Sequence, residues 1–329
     1  MLLYVTRFVA PATNNVAYKQ VDLLINSRNV PLAMWYPTTI SPETSDNIAT
    51  YPYGISIRRI AKLLVGASFI PDFSFLKREF PIIPKPGADY QVVLDSSSER
   101  VQYEKQYPIV LACHGFLGSR FDLHHICADL ASKGIIVVVP EMPESLSASY
   151  DTNWKSDDER ITRDMINNRA IAFTREEFAT TKQIGVLGHS LGTGAVVNYD
   201  TRDATSPRCA IAGFRGLSTV SLNSPLLVIA SDNDSICPAG FIKERVKESK
   251  AQNKKIESLF FTDYNHISFL SKETNDGMVQ FLSPLLPIAK SLGIPLLDFD
   301  KYSEAPDSVE CGSVVIPTVT EFFTKYLKS

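Results

Sequence analysis

Residues 184–197 read IGVLGHSLGTGAVV. An apolar run ends on Gly188-His189-Ser190-Leu191-Gly192, and a second apolar run begins. The glycines have two readings. They serve a tight connection beside an incidental serine, or they build a turn that presents Ser190 as a nucleophile. A serine hydroxyl reacts poorly at neutral pH unless a base lies within hydrogen-bond reach and donors await the oxyanion. A strained strand-to-helix turn exposes the hydroxyl, and flanking glycines permit the close backbone packing of that turn. The pentapeptide alone is a modest signal, so its surroundings decide. Here IGVL reads as a strand and LGTGAVVNY as a helix start, which favours the nucleophile.

The pattern continues on both sides. Near-continuous Val/Ile/Leu runs at 108–113, 134–140, 184–188, 209–214, 225–231 and 256–261 read as strands buried on both faces. Segments of helical spacing, 119–133, 158–178, 191–202 and 239–250, lie between them. Residues 20–25 and 31–37 read as a leading antiparallel pair around Asn26–Asn29, and helices near 278–291 and 316–328 close the chain. This alternation predicts an α/β fold, a mostly parallel central sheet with helices on both faces. The 329 residues, 44% of them hydrophobic, suffice for one domain across 1–329, with 41–107 as an insertion or lid-like region. Within it, ISIRRIAKLLVGASFI (55–70) sets Arg58, Arg59 and Lys62 among apolar neighbours. One reading is a lid that touches lipid. The other is a helix packed on the core with a solvated basic edge.

Charge and cysteine usage narrow the function classes. With 33 Lys and Arg against 36 Asp and Glu, the net charge is −3, and no basic excess argues for nucleic acid. Cys113, Cys127, Cys209, Cys237 and Cys311 are odd in number and scattered, without CxxC spacing. That excludes a full disulfide framework, argues against zinc, and leaves room for one internal pair. No run reaches about 18 apolar residues, so no membrane span is expected. The opening MLLYVTRFVAPATNN lacks the order of a signal peptide, and the expected location is cytoplasmic.

If Ser190 is the nucleophile, its partners follow from chain order, Ser then Asp or Glu then His. The histidines are His114, His124, His125, His189 and His266, and only His266 follows Ser190. It also follows an apolar run, where a strand would end. Among the intervening aspartates, Asp200 and Asp203 fall on the helix after the nucleophile, and Asp263 is too close in sequence to His266. Asp232 and Asp234 follow the strand PLLVIAS, at the sheet end where ligands bind. Asp234, deeper in the loop, is the chosen acid and Asp232 the reserve. Its task is to hold His266 in one tautomer and stabilise the imidazolium. The oxyanion donors are the N–H groups of Leu191 and Phe116, the latter from the turn in VLACHGFLGSR (110–120). His114, Gly115, Gly188 and Gly192 support these turns. His124 and His125 read as packing or surface residues, with no third metal ligand in view.

These residues resemble those of serine esterases with the α/β-hydrolase fold. From about residue 33 onward the chain resembles the platelet-activating factor acetylhydrolase group. The similar stretches are LAMWYPT, CHGFLGSR with Arg120, DLASKGIIVVVPEMPESLSASY and GHSLGTG. The acid departs from that group's pattern. There it lies at the end of the strand after the nucleophile helix, where this chain has AIAGFRG with Gly213 and no acid. The loop ASDNDSICP instead resembles the acid loop of cutinase-like polyester hydrolases and dienelactone-hydrolase relatives, with Asp234 in the matching position.

The resulting expectation is a serine carboxylic-ester hydrolase that works through an acyl-enzyme, on short-chain or lipid-like esters, with no metal or organic cofactor. A lipase, polyesterase or thioesterase would use the same triad. A non-catalytic binding protein on this scaffold has no reason to keep nucleophile, acid, base and oxyanion turn together. The pocket is expected from 41–87, 141–155 and 267–300. The last contains FLSPLLPIAKSLGIPLL, which reads either as shelter for an acyl chain or as a core helix. Peripheral membrane contact would follow from the lid reading. Neither acyl length nor oligomeric state is legible. Activity should rise from acid to mildly alkaline pH as the imidazole base loses its proton. A flat profile between about pH 5 and 8 would argue against a histidine base.

Overall fold

The computed structural model describes residues 15–39, 87–96, 106–145, 161–213, 224–251, 255–283 and 308–327 continuously, with 6–9, 50–54, 77–81, 100–103 and a few single positions besides. In chain order the strands are β1 (Thr6–Val9), β2 (Val16–Ile25), β3 (Arg28–Pro37), β4 (Thr50–Gly54), β5 (Lys77–Pro81), β6 (Val92–Leu94), β7 (Arg100–Tyr103), β8 (Ile109–Cys113), β9 (Ile136–Pro140), β10 (Ile184–His189), β11 (Arg208–Ile211), β12 (Leu226–Ser231) and β13 (Ile256–Phe261). The helices are α1 (His124–Ser132), α2 (Arg163–Phe178), α3 (Thr193–Asn198), α4 (Ala239–Lys250), α5 (Lys272–Leu282) and α6 (Ser308–Tyr326).

Nine strands form the central sheet in the order β13-β12-β11-β10-β8-β9-β3-β2-β6. From β9 to β13 every neighbouring pair is parallel. β3 runs antiparallel to both β2 and β9. The β2–β3 connection is tighter than the sequence suggested. Asn26 and Ser27, at φ 48° and 61°, make a two-residue turn, and Arg28 already belongs to β3. Two left-handed residues match the twist of the flanking strands, so the hairpin needs no longer loop.

Every residue of β8, β9, β10 and β12 is buried, as unbroken apolar runs require. Their side chains alternate between two cores. Val110 and Ala112 face one core, with Ile126 of α1 and Val315, Val319 and Phe322 of α6. Ile109, Leu111 and Cys113 face the other, with Ile166 and Ala170 of α2, Val196 of α3 and Ile242 of α4. This covers both faces of the sheet and gives the α/β arrangement, a mostly parallel sheet between helices, that the run lengths predicted.

Several expected boundaries move, each for a local reason. The helix after Ser190 stops at Asn198 rather than 202. There Asp200 Oδ1 accepts from Arg202 N at 2.8 Å and Asp203 Oδ1 from Thr205 N at 2.8 Å, so side chains compete with helical carbonyls for the backbone donors. The last helix begins at Ser308, well before 316, and carries Pro317 inside it. A proline reads from sequence as a helix start because its ring fits the first turn. The helix expected at 278–291 instead starts at Lys272, after Ser271 accepts from Thr274 N. The 41–107 region is not all external to the sheet: β6 pairs with β2 at its edge. β4 pairs with β5, and β7 with β1. Most of 55–70 and 284–300, and all of 146–160, lie outside the described residues, so the lid and most of the expected pocket lining do too. All five cysteines are free thiols, four of them buried. No described helix is long and apolar enough to cross a membrane.

Candidate active site

Because β8, β10, β12 and β13 are parallel, their C-terminal ends share one edge of the sheet. The loops that leave this edge carry His114–Phe116, Ser190, Asp234 and His266. In an open α/β sheet this is the edge where ligands bind.

The turn at Ser190 is under backbone strain. Ser190 has φ 53°, in the left-handed region that non-glycine residues seldom adopt. The backbone passes close by on both sides. A Cβ on Gly188 would meet the Gly192 carbonyl oxygen at 2.4 Å, and one on Gly192 would meet the Cys113 oxygen at 2.0 Å. The two glycines are therefore required by close approach. A single turn of 3-10 helix, Ser190–Gly192, then leads into α3, and Thr193 Oγ1 donates to Ser190 O at 2.7 Å.

The Ser190 hydroxyl lies 2.8 Å from His266 Nε2. His266 Nδ1 lies 2.8 Å from Asp234 Oδ2. Asp234 is fully buried, and its Oδ1 accepts from the N–H groups of Ile236 and Cys237, each at 2.9 Å. Burial pushes the Asp234 carboxyl up, but the hydrogen bond and charge of His266, with those two N–H groups, outweigh it and hold the pKa below its ordinary value. With the carboxylate ionised, Nδ1 carries the proton and Nε2 faces the serine as an acceptor. Asp232 is elsewhere. Its side chain is 42% exposed and pairs with Lys243 Nζ at 2.6 Å. The structure brings Asp234 to His266 and takes Asp232 to the surface. Asp263 also stays apart, its carbonyl accepting from Asn233 Nδ2 at 3.1 Å.

The turn after β8 stands directly against Ser190, since a Cβ on Gly115 would sit 2.9 Å from Ser190 Cβ. His114 shapes this turn. Its Nδ1–H donates to Gly115 O at 2.8 Å, and its Nε2 accepts from Met142 N at 2.9 Å. Phe116 and Leu191 follow Gly115 and Ser190 and are exposed, a placement unlike that of the core hydrophobics around them. Phe116 N–H donates to no described residue.

His124 and His125 lie away from this site, in α1. His124 Nε2 is 3.0 Å from Glu273 Oε2, and His125 is buried with no partner on Nδ1 among the described residues.

Some supporting residues escaped the sequence reading. His189 Nε2 donates to His266 O at 3.1 Å, so the residue before Ser190 also holds the backbone of the loop that carries His266. Asn265 Oδ1 accepts from Ile267 N and Ser268 N, both at 3.1 Å, and turns that loop. Glu141 follows β9 and is fully buried against Arg120, which also reaches Gln20 at 2.9 Å. Burial would raise the Glu141 pKa, but Arg120 and His114 lower it to about 2. A carboxylate at the end of an all-apolar run was the available signal, because a buried charge implies a partner. Removing one partner leaves the other charge buried and unpaired. Arg120→Met is therefore expected to destabilise the fold by about 3–5 kcal/mol, read from urea unfolding midpoints. A loss below about 1 kcal/mol would show that the pair is solvated.

Two buried imidazoles set an acid limit on stability. Burial is the largest cause that pulls His189 and His125 down to about 3 each, helped by His266 and His124 respectively. Their folded pKa values lie below the unfolded value of about 6.5. The stability they contribute is complete above that pH and is lost as pH falls toward 3. Each adds a slope of up to about 1.4 kcal/mol per pH unit. His125→Phe is expected to flatten the fall in unfolding free energy between about pH 6.5 and 4 by roughly one proton's worth. An unchanged slope would mean that His125 protonates without opening the fold.

Residues 91–182, less than half of the chain, match the family described as platelet-activating factor acetylhydrolase, isoform II. The match spans the Gly115 turn and ends before Ser190. No curated protein matches the chain in sequence. Among solved structures, a ferulic acid esterase from Streptomyces cinnamoneus superposes with TM-score 0.54 at 18% identity, covering 98% of this chain and 94% of that one. An esterase from Pyrococcus furiosus gives TM-score 0.44 at 14% identity, over 94% and 93% of the two chains. A serine hydrolase from Xanthomonas campestris, described as lacking a lid, gives 0.42 at 14% identity, over 85% and 96%. The chain has the α/β-hydrolase fold and is similar over residues 91–182 to the platelet-activating factor acetylhydrolases.

Proposed function

We propose that the chain hydrolyses short-chain or lipid-like carboxylic esters through Ser190, His266 and Asp234, by way of an acyl-enzyme. The observation that carries this reading is the hydrogen-bonded series from Ser190 Oγ through the His266 ring to Asp234, with both links at 2.8 Å. As the ester carbonyl is attacked by Ser190 Oγ, His266 Nε2 takes the hydroxyl proton. Asp234 keeps the ring oriented and offsets the charge of the imidazolium. The tetrahedral oxyanion accepts from the N–H groups of Phe116 and Leu191. His266 then returns the proton to the leaving alkoxide, which departs as the alcohol and leaves Ser190 acylated. In the second half, His266 draws a proton from water, whose oxygen attacks the acyl carbon. The acid is released and Ser190 regains its proton.

The exposed phenyl of Phe116 and isobutyl of Leu191, next to Gly115 and Ser190, favour an apolar ester over a charged one. The test is hydrolysis of p-nitrophenyl esters from acetyl to dodecanoyl, with fluorophosphonate labelling of the same preparation. The expected result is turnover with a defined best chain length, and one phosphonyl group on Ser190 by mass spectrometry. A long-chain optimum would favour a lipase. Absence of both turnover and label would favour a binding protein on a hydrolase scaffold.

A further inference from the structure

The turn His114–Leu117 is held from outside at both of its ends, and one side chain serves both. Arg163 Nη1 donates to His114 O at 3.3 Å. Arg163 Nε donates to the Glu144 carboxylate, at 3.2 Å to Oε2 and 3.4 Å to Oε1. Glu144 in turn accepts from Leu117 N through its backbone oxygen at 3.0 Å. Gly115 and Phe116 lie between these two anchors. Leu117 has φ 59°, so the turn keeps a conformation that a free leucine would leave.

Arg163 is well placed for this, and local helix energetics do not account for its presence. It is the first residue of α2, a 16-residue helix whose N-cap, Thr162, accepts from Met165 N at 3.2 Å. A cation at a helix N-terminus opposes the macrodipole. What the position supplies is a rigid mount, 48 residues along the chain from Gly115 (163 − 115), facing the turn from across the sheet end. An oxyanion donor is effective only when held near its final geometry, because the hole must not reorganise as charge develops.

We infer that Arg163 is a positioning residue for the oxyanion hole, fixing Phe116 N–H through the His114 carbonyl and through Glu144. This rests on the triad reading and on Phe116 as a donor. Arg163 touches no reacting atom. Its loss should therefore weaken binding of the tetrahedral state while leaving ground-state ester binding alone.

The experiment compares wild type, Arg163→Met, Arg163→Lys and Glu144→Gln on p-nitrophenyl butyrate, with inhibition by an aliphatic trifluoromethyl ketone, which forms a tetrahedral adduct on the serine. Removal of one oxyanion donor costs about 10²–10³-fold in kcat, so a displaced donor should cost about 10- to 100-fold. Arg163→Met is expected to lose that much in kcat with KM within about twofold, and to bind the ketone more weakly by a similar factor. Arg163→Lys, which can still reach one anchor, should recover part of the loss, and Glu144→Gln should lose less than Arg163→Met. A loss confined to KM, or unchanged ketone affinity, would overturn the inference. So would a kcat loss that tracks the unfolded fraction in thermal melts across the set. If wild type fails to hydrolyse esters or to label with fluorophosphonate, the triad reading itself fails. If wild type passes and Arg163→Met keeps full kcat, only the role of Arg163 fails.

Discussion

Ser190→Ala is expected to lower kcat for p-nitrophenyl butyrate by about 10⁶-fold and to abolish fluorophosphonate labelling. The size follows from the geometry. Oγ is the atom that His266 Nε2 faces at 2.8 Å, so alanine removes both the bond-forming atom and the proton the base would take. What would survive is the proposed oxyanion hole and binding, which together give about 10³–10⁴-fold over water in Ser-His-Asp enzymes. Stability should change little. The strain at φ 53° persists with alanine, and the lost hydroxyl is partly solvated at the mouth of the site. Circular dichroism and thermal melting should therefore match wild type while turnover disappears. A variant retaining more than about one hundredth of wild-type kcat would remove Ser190 from the mechanism.

Asp234→Asn is expected to cost about 10⁴-fold in kcat, and Asp232→Asn less than about twofold. The introduced amide would keep an oxygen for Ile236 N and Cys237 N, which Asp234 Oδ1 now serves at 2.9 Å. Its nitrogen would then face His266 Nδ1 in place of Oδ2. An amide N–H there makes Nδ1 the acceptor and moves the ring proton to Nε2, where it can no longer accept from Ser190. Among the described residues the Asp232 carboxylate has Lys243 to lose, in a half-exposed pair worth little. Steady-state kinetics of the two variants between about pH 7 and 9, with folding checked, decide between the aspartates. The reverse ranking would assign the acid to Asp232.

Much of this was legible along the chain. The strand runs around Ser190 were fully buried as their composition required. Gly188 and Gly192 announced a close backbone passage that the structure contains. His266 was singled out by elimination, as the sole histidine after Ser190. Element ends were less legible. The last helix, expected near 316–328, begins at Ser308 and holds Pro317 inside it, where packing of Val315, Val319 and Phe322 outweighs one missing backbone donor.

The sequence by itself determined what depends on neighbours along the chain: strand and helix alternation, the glycine-flanked serine turn, and the chemistry on offer at each loop. Tertiary structure decided which of those groups meet. Asp232 and Asp234 stand two residues apart on one loop, yet one is salt-bridged at the surface and the other is buried against His266. Arg120 with Glu141, and Arg163 with His114 and Glu144, are likewise joined only after the crossovers bring β8, β9 and α2 together. Periodicity and turn preference are short-range terms, carried by sterics and backbone hydrogen bonding. The pairing of a buried charge is set by desolvation, and that cost depends on everything packed around the site rather than on the residues beside it in the chain.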